Sequence, residues 1–153
     1  MTAWRRDGSE LVAEFVDIEV AVLQDLAEQV ADLLENDDAG DPARARLLPD
    51  AYLNDPDSAA EFRRLTENEL AARKATAVRF VADSVGPAVR LDTRQSLDWL
   101  RALTDIRLVI ASRLGIENDG DEGDDSSEEL RFLRNAFDWL GFLQDSMLQV
   151  VDA

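Results

Sequence analysis

The sequence contains no cysteine and no histidine. The first absence removes disulfides, thiolate metal sites and cysteine nucleophiles together. The second removes the commonest general base near neutral pH, and with it Ser-His-Asp triads, HExxH zinc sites and ExxH di-iron sites. A magnesium or calcium site built from carboxylates alone passes both tests. Lysine occurs once, as Lys74. Long apolar runs are missing too: Val20–Leu23 and Leu108–Ala111 extend only four residues, against the roughly 18 or more of a membrane-spanning helix. Neither GxxxxGK[ST] nor GxGxxG occurs, so no phosphate-cradling loop is expected. Arg5-Arg6 stands near the start, but Glu10, Glu14, Asp17 and Glu19 follow it. A signal-peptide core does not carry such charges, so cytoplasmic residence is expected.

What is present suits one folded domain. The 153 residues are 46% hydrophobic and 32% charged, and a domain of this size hides about 68–70% of the surface its unfolded chain exposes. We therefore expect a single domain over residues 1–153. The formal net charge is -17 and is unevenly spread. Residues 1–43 hold 2 basic and 12 acidic side chains, residues 114–153 hold 2 and 11, and the middle, 44–113, holds 12 and 10. Repulsion from the whole molecule weakens any approach to nucleic acid or an anionic membrane, while a local arginine-rich patch can still meet an acidic partner.

Asp7-Gly8, between two short stretches able to pair as strands, signals an N-terminal β-hairpin. From Asp17, a good cap, to about Asn36, the residues Val22, Leu23, Leu26, Val30, Leu33 and Leu34 recur at helical spacing. Asp41-Pro42 restarts a short helix to Leu48, which Pro49 stops. Asp55-Pro56-Asp57-Ser58 opens another helix carrying Phe62 and Leu65. Thr66 through Glu69 has the spacing of a capping box for a separate, longer helix to Val85, ended by Gly86-Pro87. Asp92 with Gln95 starts the next helix and Gly115 stops it. Ser126 with Glu129 caps a last helix to about Val151. The fold class expected is all-α: a helical bundle of four longer helices and one or two short ones, with a short N-terminal β-hairpin.

Advancing 100° per residue leaves three charges on apolar arcs: Glu19 on the first helix, Lys74 among Leu70, Val78, Val81 and Val85, and Arg107 between Leu100, Leu103 and Leu114. Arg94, Asp98, Arg101 and Asp105 form the expected solvated stripe of their helix. An unpaired ion out of water costs several kcal/mol, so Glu19 is expected to pair with Lys74, Arg107 or both in a buried ion cluster. The main reading of that cluster is a salt bridge fixing helix register; a ligand site is the lesser one. Glu19 also sits in a first helical turn, where the helix dipole favours a carboxylate.

Phe142, beside Gly141 on the polar face of the last helix, points to a partner surface, as do the arginines Arg63, Arg64 and Arg73. Arg63–Leu70, continuing to Arg79, superficially suggests a helix-turn-helix, but the turn lacks glycine and the molecule is anionic. Residues 117–129 hold eight carboxylates, and 117–127 is expected to be a mobile acidic loop. A calcium-loop alignment there starts at Asn118, yet Gly120 supplies no ligand at its third position, so no metal is expected.

The stretches Asp41 to Tyr52 with LLPDAY, Glu61 to Glu67 with EFRRLTE, Leu70 to Ala75, Trp99-Leu100 through Arg113-Leu114-Gly115, and the closing Asp138-Trp139-Leu140 together resemble an uncharacterised actinobacterial family of single-domain cytoplasmic proteins. The resemblance covers nearly the whole chain. It implies a domain of unknown function, often encoded beside the Clp protease adaptor ClpS, with some members labelled transcriptional regulators.

The first functional expectation is a non-enzymatic regulatory or adaptor protein that binds another protein, linked by the resemblance to protein turnover and protease adaptors. A DNA-binding transcriptional regulator comes second and a sensor of a small anionic ligand, neutralising Lys74 and Arg107, third. No catalytic residue and no cofactor are expected. The partner is expected to be a protein or, as a homodimer, a second copy, with nucleic acid disfavoured and no membrane.

Overall fold

A computed structural model describes residues 3–36, 40–48, 60–116 and 126–151, and for residues 60–63 the backbone alone. The chain runs β1 (Arg5–Asp7), β2 (Glu10–Ala13), α1 (Asp17–Glu35), α2 (Pro42–Leu47), α3 (Ala60–Ser84), β3 (Val89–Leu91), α4 (Thr93–Leu114) and α5 (Glu128–Val151). Among the described residues four long helices and one short one form a bundle, and the hairpin is present, as the sequence implies. The acidic residues 117–125, and the helix start read at Asp55–Ser58, lie outside the described residues.

The hairpin pairs Asp7 with Glu10, leaving Gly8 and Ser9 as its two-residue loop. Gly8 has φ 64°, which a residue with a Cβ adopts only at a cost, and glycine at the first loop position suits a tight hairpin. A third strand was not foreseen: β3 pairs antiparallel with β2, with Leu11 opposite Leu91 and Ala13 opposite Val89, giving the order β1-β2-β3. Val89 and Leu91 point inward and Arg90 outward, so β3 fills the gap between Gly86-Pro87 and the α4 cap.

Helix boundaries follow local chemistry. Asp92 accepts from the Gln95 N–H at 2.8 Å while the Gln95 side chain accepts from the Asp92 N–H at 2.9 Å, the reciprocal box read from the sequence. Gly115, at φ 77°, ends α4. Two starts move by one residue. The residue before α1 is Val16 rather than Asp17, its N–H bonded to the Glu19 carboxylate at 2.9 Å. For α5, the Ser127 hydroxyl, not that of Ser126, accepts from the Leu130 N–H at 3.1 Å.

The larger correction concerns α3, which runs unbroken from Ala60 to Ser84. Thr-x-x-Glu is ordinary i,i+3 spacing inside a helix as well as at its start, and nothing at Thr66 removes a backbone donor, so the ladder continues. The turn that a helix-turn-helix needs is therefore absent from this segment.

Helix α4 is central, packing against α1, α2, α3 and α5. Trp99, Leu103, Ile106, Ile110 and Leu114 are among its fully buried side chains, joined by Leu23 and Leu34 of α1 and by Leu140, Leu143 and Met147 of α5. Each such burial contributes roughly 1.5–3 kcal/mol. The sheet is fastened to α5 by the Trp4 N–H on Ser146 Oγ at 2.8 Å and by Arg6 on the Val150 carbonyl at 2.7 Å. Arg44 does the same for α1, its Nε donating to the Leu33 carbonyl at 3.2 Å. Both arginines meet carbonyls that helix ends leave unpaired.

Candidate functional site

The three inward charges do not gather into one cluster. Glu19 spends its carboxylate on the Val16 N–H of its own helix start. Lys74 instead meets Asp105, Nζ to Oδ1 at 2.8 Å, joining α3 to α4. Asp105 was expected on the solvated stripe but is only 4% exposed. It lies at the edge of the α4 exposed arc, where a neighbouring helix decides whether water reaches it. Burial pushes the Asp105 carboxyl above the ordinary carboxylate range, and Lys74 opposes that shift without cancelling it.

Arg107 does turn inward, and it finds α5. Its Nε donates to the Phe137 carbonyl at 3.2 Å and its Nη1 to Gln144 Oε1 at 3.1 Å, while its Cζ lies 4.1 Å from the centroid of the Phe137 ring. A Cβ on Gly141 would stand 3.0 Å from Arg107 Nη2. Gly141 thus gives the guanidinium room to lie across α5. Burial lowers the Arg107 pKa, partly offset by the fields of Asp145 and Asp138.

The described arginines divide by location. Arg5 is bonded to Glu14, Arg79 to Asp32 and Glu35, Arg90 to Asp7 and Glu10, and Arg113 to Asp41. Each of these pairs closes the sheet or the α1 side of the bundle. Among the described residues, Arg94, Arg101 and Arg107 of α4 have no carboxylate within ion-pair distance. Three cations on one helix are thereby left for an acid from outside, in a chain with 33 acids and 16 bases.

On α4, Leu97, Arg101, Thr104 and Leu108 follow one another at i, i+4, i+7 and i+11 and are all exposed. Leu97 and Leu108 are 41% and 37% exposed, and Leu148 of α5 is 47% exposed. Gln144 Nε2 donates to Thr104 Oγ1 at 2.7 Å and to the Leu100 carbonyl at 3.4 Å. These bonds lay the Gln144 turn of α5 along the stripe, and Leu148 continues it toward the α4 N-terminus. The spacing is legible in the sequence; that no described acid comes within ion-pair distance of these arginines is not.

Of the surface residues singled out from the sequence, Arg64 and Arg73 are exposed on α3, and Phe142 is 36% exposed on α5. Arg63 is described by its backbone alone. Gly141, beside Phe142, gives room to Arg107. A separate cleft of about 640 Å³ lies between α1, α4 and the start of α5, floored by Leu26, Val30, Ile106 and Ile110, with Gln29 and Arg113 among its polar lining. No group of three or more acids able to hold a metal occurs among the described residues. No described helix is long and apolar enough to cross a membrane.

Comparison with known proteins gives a family and a few relatives. The family model described as a domain of unknown function, DUF2017, matches residues 1–151. Proteins named oxidative stress regulator AosR, from Mycobacterium bovis and from Mycobacterium tuberculosis, are 27% identical to the chain over 183 aligned residues, covering 95% of this chain and 84% of theirs. No solved structure matches.

Proposed function

This chain belongs to the DUF2017 family, and on that premise we propose that it is a non-enzymatic cytoplasmic regulatory protein that works by binding another protein. The observation that carries the reading is the α4 surface, where exposed leucines alternate with arginines that have no carboxylate within ion-pair distance among the described residues. The regulator name borne by the mycobacterial relatives supports the same class.

The chemistry of the side chains supports binding over reaction. Without histidine or cysteine, proton transfer and nucleophilic attack near neutral pH lack their usual groups. If this chain serves an oxidative-stress response, as the name of its relatives indicates for them, it has no thiol with which to register an oxidant. The methionine of α5, Met147, is fully buried. A partner that carries the oxidant-sensing group fits this reading. A partner drawn from protein turnover is the finer form of the proposal and rests on the family resemblance.

Affinity purification of the full chain from its native cell, with identification of what is retained, is the test. Retention of a defined protein in stoichiometric amount is expected. Retention of no protein, with a salt-sensitive gel shift on promoter DNA, would replace this reading with the DNA-binding one.

A further inference from the structure

Resting on the protein-binding reading, we propose that the α4 stripe, with the adjoining edge of α5, is the docking surface for an acidic amphipathic helix of a partner protein.

The apolar component is periodic. Leu97 and Leu108 stand on one face of α4, and Leu148 extends that face onto α5. A helix that presents apolar residues at i, i+3, i+4 and i+7 matches leucines at this spacing. Apolar side chains held in water at this spacing gain by being covered, at roughly 25 cal/mol per Å².

The charge component selects the partner. Arg94 and Arg101 flank Leu97 on the same arc, exposed and without a carboxylate partner among the described residues. Arg107, at the far end, is held in place by Phe137 and Gln144, and its Nη2 makes no hydrogen bond among the described residues. A guanidinium already fixed by stacking loses little freedom when a carboxylate arrives, which favours arginine at such a position. The acids facing this region are Asp98 and Asp105 of α4, the latter engaged by Lys74, and Asp138 and Asp145 of α5. Asp138 is in turn 3.7 Å from Arg134. The arc is therefore close to balanced or positive within a molecule of charge -17, and an acidic helix is repelled less here than over the carboxylate-bearing outer face of α1.

Exposed leucines between the arginines distinguish the partner from nucleic acid. A phosphate backbone is read by charge and hydrogen bonding, to which Leu97, Leu108 and Leu148 add nothing. A helix with carboxylates bordering an apolar face uses both components.

The test uses the isotope-labelled full chain and three probes: a synthetic amphipathic Leu/Glu helix, its Leu/Lys counterpart of identical pattern, and a DNA duplex. Titration followed by amide chemical shifts is expected to move residues 94–108 and 141–148 with the Leu/Glu helix alone. Leu97→Asp combined with Arg101→Glu should weaken that binding at least about tenfold, which is roughly 1.4 kcal/mol. Asp25→Lys on α1 should leave it unchanged. Both altered positions of the double variant are exposed, and its thermal midpoint verifies folding; Leu97→Ala with Arg101→Ala is the milder substitute. Equal or stronger binding of the Leu/Lys helix, or of DNA, overturns the proposal. So does a shift pattern centred elsewhere. Capture from the native cell separates the two levels: a partner retained equally by wild type and the double variant overturns this surface but keeps the protein-binding reading. Failure of both proteins to retain anything overturns that reading too.

Discussion

Replacing Lys74 with Met removes the ammonium from a carboxylate that is almost wholly buried, 2.8 Å away. Removing one member of a buried pair costs about 3–5 kcal/mol, because the other charge stays behind without compensation. The Lys74 side chain remains 26% exposed, so water reaching the vacated space softens the loss, and we expect about 2–3 kcal/mol at pH near 8. For a domain of this size that lowers the melting midpoint by about 4–12 °C. The pH dependence has a definite sign. The Asp105 carboxyl already titrates above its ordinary value in the folded chain, and loss of Lys74 raises it further. A group with a raised folded pKa contributes stability that is fully present below its unfolded pKa and lost as pH rises through the folded one. The deficit of Lys74→Met should therefore shrink on acidification, as Asp105 takes up a proton in the folded chain before it would in the unfolded one. Urea denaturation followed by far-ultraviolet circular dichroism, at about pH 8 and about pH 5, measures both quantities. Combining Lys74→Met with Asp105→Leu should restore stability to within about 1 kcal/mol of wild type. A Lys74→Met deficit below about 1 kcal/mol at the higher pH, unchanged at the lower, would refute the reasoning.

Three further outcomes are expected. Gly141→Ala should stabilise an Arg107→Ala background by up to about 1 kcal/mol through helix propensity, but give little or nothing in wild type. There the new Cβ displaces the guanidinium from bonds worth about 1 kcal/mol each, and a double-mutant cycle in urea reads the difference. Asp41→Ala should cost about 1–2 kcal/mol, since Asp41 both accepts from the Ala43 N–H and holds Arg113. Arg113 keeps the Asp41 carboxyl below its ordinary range, so this contribution is present above the ordinary carboxylate pKa and disappears as pH falls through the depressed one, which urea titration across acid pH follows. Finally, peroxide at a dose that fully oxidises Met147 in denaturant should leave it intact in the native protein, as mass spectrometry of the α5 peptide reports; oxidation in the folded state would place that sulfur within reach of solvent.

Most helices are legible because their ends carry their own chemistry. The Asp92-Gln95 box and Gly115 fix α4 without reference to any other element. Where a pattern has two meanings, sequence misleads: Thr66-x-x-Glu69 is a start signal only if the chain is not already helical, and whether it is depends on packing upstream. Strand β3 is three residues long, too short for alternation to show, and exists because β2 offers it an edge. The inward charges divide in the same way. Periodicity placed Glu19, Lys74 and Arg107 on apolar arcs, and their partners came from elsewhere: a local N–H, an aspartate on the α4 margin, and backbone exposed by a glycine. One helix's period gives a direction, while a partner is a property of two helices. For the same reason the leucine and arginine spacing of α4 can be read in advance, and its lack of close ion pairs among the described residues cannot.

All three tryptophans of the chain meet at one joint. Trp4 lies edge-on to Trp99 at 5.3 Å between ring centroids, Phe15 stacks on Trp99 at 6.2 Å, and Trp139 closes the group against Phe15 at 6.4 Å. Trp99 donates to Ser84 at 3.0 Å, whereas the Trp4 and Trp139 indole N–H groups are buried without an acceptor among the described residues. Intrinsic emission from this protein is consequently a local gauge: it reports the seating of the N-terminal strands against α4 and α5, with coupled indole transitions in the near-ultraviolet. A binding event on the leucine stripe can pass optically silent, while loosening of the strands registers at once.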